Sequence, residues 1–189
     1  MIVQHIILLL IWLFYYGLHS LLASHKLKEK VALSSKNYRL LYSLFSFILL
    51  FLLLIYTATI YSFLVITPSK LTTYLGLMIT AIGVFILKRS FRKYSLREFL
   101  GLKDKDKNER LISTGIQSKI RHPLYLGTIL VVLGYFFFNP QASNFIILLA
   151  TLVYLPFGIK WEERKLIDQF GEEYLVYKKT TPALIPKFW

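Results

Sequence analysis

The chain contains no cysteine. Disulfides, iron–sulfur clusters and thiolate metal sites are therefore excluded. Histidine is sparse as well: four in 189 residues, no two of them spaced i,i+4, so no zinc site is expected. Charge is missing from long stretches of the sequence. The chain is 56% hydrophobic, 16% aromatic and only 17% charged, with a mean hydropathy of +0.54. That is too apolar for an ordinary soluble domain. The apolar residues also come in blocks rather than stripes, and blocks of this length indicate membrane helices.

Five spans are expected, over residues 2–22, 40–66, 71–87, 124–138 and 145–158. The fold class is therefore an all-α integral membrane protein, with about five transmembrane helices and a C-terminal amphipathic helix. The fourth and fifth spans are short for a hydrocarbon core of about 30 Å. With the turn "NPQAS" between them they read as a helical hairpin. The whole chain, 1–189, reads as one membrane domain. Residues 1–87 form a three-helix N-terminal part. Residues 88–189 supply a polar connection, the hairpin and the C-terminal helix. The first segment, "MIVQH", lacks the Lys or Arg of a signal-peptide start, and its apolar run is long. A retained anchor is expected rather than a cleaved leader.

Acidic residues number ten against 23 Lys and Arg, giving a formal net charge of +13. Position decides what this basicity means. Residues 25–39, 88–121 and the segment from Lys160 hold 22 of the 23 cations, and Lys70 is the exception. Alternating loops with this asymmetry put the N-terminus outside and the C-terminus in the cytoplasm. The expected partner of the charge is anionic membrane lipid. No nucleic-acid motif accompanies it, so nucleic acid is not expected as a partner. Oligomeric state is not legible.

The segment after span five, "KWEERKLIDQFGEEYLVYKKTTPALIPKFW", carries Leu166, Phe170, Tyr174 and Tyr177 at helical spacing. This gives one apolar face on a surface-lying helix, with Gly171 a candidate break. The "PALIPKFW" end reads as an extended tail with aromatic interfacial anchors.

Three features can carry chemistry. The first is Arg121-His122-Pro123 at the entrance of span four. Proline suits a first helical turn because its missing N–H would be unpaired there. The free N–H groups that follow, with Arg121 beside them, make an anion site for a carboxylate or phosphate. A bland interfacial marker is the alternative. The second is Glu162-Glu163 just past span five, returned by the hairpin to the same face. It suits a cationic group, or else it is simply the acidic start of a solvated helix. The third is a pair of glycine rows, Gly76/Gly83 and Gly127/Gly134, each seven apart on one helix face. Close helix packing is their first reading, with Gly127 also able to make room for a ligand. His19, Ser20 and Ser24 add polarity near the end of span one, where an intramembrane histidine is a functional candidate.

Together, "RHPLYLG" followed by "EE" resembles the signature of the isoprenylcysteine carboxyl methyltransferase and phospholipid methyltransferase superfamily, RHPxYxG, a hairpin, then EE. The N-terminal "LHSLLASHKLK" and "YRLLYSLFS" are similar to bacterial methanethiol S-methyltransferases and to NnrU-type membrane proteins. The resemblance implies a methyltransferase that uses S-adenosylmethionine, in a bacterial inner membrane. It implies cofactor binding by Arg121, His122, Pro123, Tyr125, Gly127, Glu162 and Glu163. No catalytic residue is assigned; Arg89, Arg92 and Tyr177 are candidates. Arg89, Arg92 and Arg97 could hold an anionic acceptor or lipid headgroups, and Tyr125, Tyr174 and Tyr177 could favour a sulfonium. The 88–121 connection is expected to cap the pocket. Three acceptors compete: a small thiol, a lipid amine or an isoprenoid-linked carboxylate. Lateral entry of an apolar acceptor from the bilayer is expected. The alternative is a non-catalytic, ligand-binding NnrU-type protein that keeps the fold. No metal is expected.

Overall fold

The computed structural model describes residues 2–92, 96–103 and 110–186. The order of elements is α1 (Ile2–Leu22), α2 (His25–Lys30), α3 (Ser35–Thr59), α4 (Lys70–Phe91), α5 (Leu96–Phe99), a 3-10 turn at Gly115–Ser118, α6 (Pro123–Phe138), α7 (Ala142–Phe170) and α8 (Glu172–Thr180). Among the described residues, α1, α3, α4 and α7 are long and apolar enough to cross a membrane, and α6 is a shorter apolar helix. The protein is an all-helical integral membrane protein.

Spans two, three and five have boundaries that differ from those read in the sequence. The second span ends at Thr59, not 66. Beyond it the chain is extended and laces onto the hairpin turn, with Val65 N–H donating to Pro140 O and Ala142 N–H to Phe63 O, each near 2.9 Å. Span three begins at Lys70 because Ser69 and Thr72 form a reciprocal capping box, and it runs on to Phe91. Span five does not stop at 158: α7 continues through the charged segment to Phe170 as one helix. The amphipathic helix of the sequence reading is thus two pieces. Gly171, at φ +55°, breaks the chain there, and Leu166 and Phe170 belong to α7 while Tyr174 and Tyr177 belong to α8.

The helices pack in the order α3, α1, α7, α6, α4, so that α4 rests chiefly on α6. Lipid is as apolar as leucine, so this packing must come from close fit and polar bonds rather than from hydrophobic burial. The α4–α6 seam uses the glycine rows. A Cβ at Gly76 would lie 2.6 Å from Gly134 O, and one at Gly83 would lie 2.8 Å from Gly127 O. On the other side, Leu8, Trp12, Leu53, Ile146, Ile147 and Ala150 form the buried core of α1, α3 and α7. Polar bonds cross that core: the Trp12 indole donates to Thr57 at 3.2 Å, and Tyr16 and Thr151 hydroxyls meet at 2.7 Å. His19 bonds Ser46 at 3.1 Å, and Ser20 bonds the Tyr154 hydroxyl. Ser24 instead caps α2.

At the basic end, α5 docks beside the start of α3. Arg39 donates to the Glu98 carbonyl at 3.0 Å, and Gly101, at φ +79°, lies against the Arg39–Leu40 backbone. The aromatic tail anchors read at the C-terminus, Phe188 and Trp189, lie outside the described residues.

Candidate functional site

The site is assembled where α6 begins. Pro123 occupies its first turn and His122 is the N-cap residue, with no side chain among the described residues capping the turn. The first-turn N–H groups are therefore left to a ligand or water. Just before it, the Arg121 and His122 N–H groups donate to Pro182 O at 2.9 Å and Ala183 O at 3.0 Å. The residues after α8 thus lie as a strap along the RHP segment.

Arg121 turns inward, where its guanidinium grips one oxygen of Glu163, Nε to Oε1 at 3.0 Å and Nη2 to Oε1 at 2.6 Å. Its remaining Nη1 donates to Lys178 O at 3.0 Å and to Thr181 O. The other Glu163 oxygen takes the Lys178 ammonium at 2.6 Å. His122 lies between two carboxylates, with Nε2 3.3 Å from Glu163 Oε1 and Nδ1 3.4 Å from Glu162 Oε2. Burial opposes a charge on Glu163, yet the bonds from Lys178, Arg121 and His122 outweigh it and hold its carboxyl down at about 2.

The two glutamates are therefore unlike. The Glu163 side chain is 9% exposed and saturated with partners, whereas Glu162 is 43% exposed. Neighbours on a helix point about 100° apart, which separates them. Both lie inside the long helix α7, not at a helix start. Around Glu162 stand tyrosine hydroxyls: that of Tyr125 lies against its carboxylate, and Tyr154 lies within electrostatic reach. The Tyr125 ring also meets the edge of His122 at 5.6 Å, and Tyr154 meets Trp161 at 6.5 Å.

The structure brings together Arg121, His122, Pro123, Tyr125, Glu162 and Glu163. Gly127 is placed differently: a Cβ there would strike Leu87 of α4 at 2.7 Å, so its bareness serves the helix seam. Tyr177 is buried and donates to Gln117 O at 2.6 Å, tying α8 to the 3-10 turn. Arg89 and Arg92 line a separate concavity with Phe85 and Lys88. Tyr174 is fully buried against the cluster. Burial and the Glu163 charge push its phenol up, and its hydroxyl faces Arg121 without the geometry of a hydrogen bond. Sequence reasoning missed Lys178 and Tyr154. Lys178 follows Tyr174 by four, on one face of α8, a signal that was open to reading. Tyr154 looked like one more apolar residue of a span.

Fold and site define a polytopic helical membrane protein with a buried ionic cluster where the basic ends of its helices meet. The chain belongs to the NnrU family, whose model, described as "NnrU protein", matches residues 7–185. It is also similar to "Methanethiol S-methyltransferase 1" of Bradyrhizobium diazoefficiens, 42% identical over 69 residues, 35% of this chain and 23% of that protein. "Methanethiol S-methyltransferase" of Crocosphaera subtropica is 29% identical over 116 residues, 59% of this chain and 44% of that one. "Protein-S-isoprenylcysteine O-methyltransferase" of Schizosaccharomyces pombe is 35% identical over 86 residues, 43% and 35%. Each match spans less than half the length of the relative.

Proposed function

We propose that this protein is an S-adenosylmethionine-dependent methyltransferase of the bacterial inner membrane, with its basic end and C-terminus in the cytoplasm, acting on a small thiol. The reading rests above all on the division between the two glutamates. Glu163 is consumed in holding Arg121, Lys178 and His122 in place, which leaves Glu162 half-open beside Tyr125 and beneath an uncapped helix start. An uncapped N-terminus suits a carboxylate. A half-exposed carboxylate among tyrosines suits an ammonium or sulfonium. The methyl donor carries both kinds of group. The buried Tyr174 hydroxyl, which faces Arg121 but has no hydrogen-bond partner among the described residues, also fits a site that takes a polar ligand.

When bound, S-adenosylmethionine supplies a methyl group activated on sulfonium sulfur. The protein's own share is positional. Glu163 and Lys178 fix Arg121 and the strap, His122 is held between the carboxylates, and Glu162 would take the ligand's positive end. Methyl transfer needs alignment and little water, and a site at the membrane surface favours both. The names of the curated relatives support a thiol or a lipid-linked acceptor. The Ser20–Tyr154 bond between α1 and α7, with Tyr154 in electrostatic reach of Glu162, favours the smaller.

One observation favours the non-catalytic alternative: Arg121 is already fully engaged within the protein, so it is not a free anion receptor. Calorimetry of the purified protein with S-adenosylmethionine, followed by transfer of labelled methyl to methanethiol, separates the two. Binding that Glu162→Gln weakens at least tenfold supports the proposal, and absence of binding to the intact protein overturns it.

A further inference from the structure

Among the described residues, the glycine seam leaves the opposite face of α4 exposed. Gly76 and Gly83 press on α6, and at 100° per residue the residues about half a turn away are Met78, Ile82, Phe85, Arg89 and Arg92. Met78, Ile82 and Phe85 are 53%, 47% and 61% exposed. The stripe then changes character within one turn. Lys88, Arg89 and Arg92, all exposed, surround a concavity of about 340 Å³ whose fourth wall is Phe85.

We propose that this face is a binding site for one anionic phospholipid, its acyl chain along Met78 and Ile82 and its phosphate among Lys88, Arg89 and Arg92. The order of the chemistry argues for this occupant. An apolar run two turns long ends in three cations at the bilayer boundary, which complements a molecule that is apolar along its length and anionic at one end. Phe85 sits at the junction, where an aromatic ring packs against the glycerol region. A soluble anion would need only the cations, and a second protein copy would not need three like charges on its rim. The inference does not depend on the methyltransferase reading.

The test is native mass spectrometry of the detergent-purified protein titrated with phosphatidylglycerol and, separately, phosphatidylcholine. The expected result is a tightly retained single phosphatidylglycerol, preferred at least tenfold over phosphatidylcholine. Arg89→Gln/Arg92→Gln should abolish the preference, while Lys28→Gln/Lys30→Gln, which removes the same charge from exposed or half-exposed positions outside α4, should change it less than twofold. These are surface changes, and a retained thermal transition checks that both variants are folded. Equal loss in the two double variants would mean a diffuse charge effect and would overturn the site. So would full competition by glycerol 3-phosphate at the lipid's concentration, or a dimer that Met78→Ala/Ile82→Ala dissociates.

Discussion

Arg121 and Glu163 lie 42 positions apart in the chain, and the arginine closes on a single carboxylate oxygen of the glutamate through two of its nitrogens, at 2.6 and 3.0 Å. A motif read as a receptor for an external anion thus finds its first anion inside the protein. With Lys178 on the other oxygen, the pair joins α6, α7 and α8 at one point. Removing one partner of a buried ion pair leaves an uncompensated charge, which costs about 3–5 kcal/mol. Glu163→Ala should therefore lower thermal stability in detergent by that order. Glu162→Gln, at a half-exposed position, should stay within about 0.5 kcal/mol of wild type. Equal destabilisation by both would remove the distinction between the glutamates.

The same pair predicts a pH dependence. Glu163 is held at about 2 against an ordinary 4.5. Its folded pKa is depressed, so its contribution is complete above about pH 4.5 and is lost as pH falls towards 2. A difference of that size corresponds to about 3 kcal/mol, reduced to about 2 because Lys178 is partly solvent-screened. The stability gap between wild type and Glu163→Gln should stay level from pH 8 to 5 and narrow below 4.5. A gap that instead widened on acidification would contradict the sign.

Close helix approach gives a third expectation. A Cβ at Gly134 would lie 2.6 Å from Gly76 O and from Thr80 N, both backbone atoms that cannot step aside. Gly134→Ala should cost about 1–3 kcal/mol by overpacking and loosen α4 from α6. Gly17 in α1 has nothing within 4 Å of the same position. Gly17→Ala should be neutral or stabilising by up to about 1 kcal/mol. Thermal melts of the two single variants make the comparison.

Much of this architecture could be read directly, because membrane spans announce themselves by apolar length and the α6 start by Pro123. The contents of the site were half legible. The sequence places Arg121 and Glu163 at the same end of a hairpin, but a linear pattern cannot say whether two opposite charges wait for a ligand or for each other. That is decided by α8 and the strap, whose Lys178 and Thr181 complete the shell. The glycine rows were legible as packing, and Gly127 belongs there because Leu87 fills the space beside it. The break at Gly171 is legible in the glycine itself. The continuity of α7 through 158–170 is not, since the change from apolar to charged residues looks like a change of element. It marks only where one helix leaves its apolar part.

Acceptor size offers the last expectation, and it rests on the proposed activity. The short fourth span and the 88–121 connection over the site point in the sequence to lateral entry from lipid. The seam between α1 and α7 is nevertheless closed by polar bonds, Tyr16 to Thr151 at 2.7 Å and, nearer Glu162, Ser20 to Tyr154. The rings of Tyr16 and Tyr154 stack across the same seam at 5.0 Å. Opening it means breaking both bonds, each worth about 0.5–1.5 kcal/mol net, and separating the rings. A closed seam favours the smallest thiol. In nanodiscs, kcat/KM should fall from methanethiol through ethanethiol to butanethiol. Ser20→Ala/Tyr154→Ala removes the second bond and one ring of the stack, so longer chains should recover in that variant. Each methylene newly accommodated should contribute up to about 0.8 kcal/mol. A wild-type protein that already prefers butanethiol, with no change in the double variant, would mean that this seam is not the wall of the acceptor site.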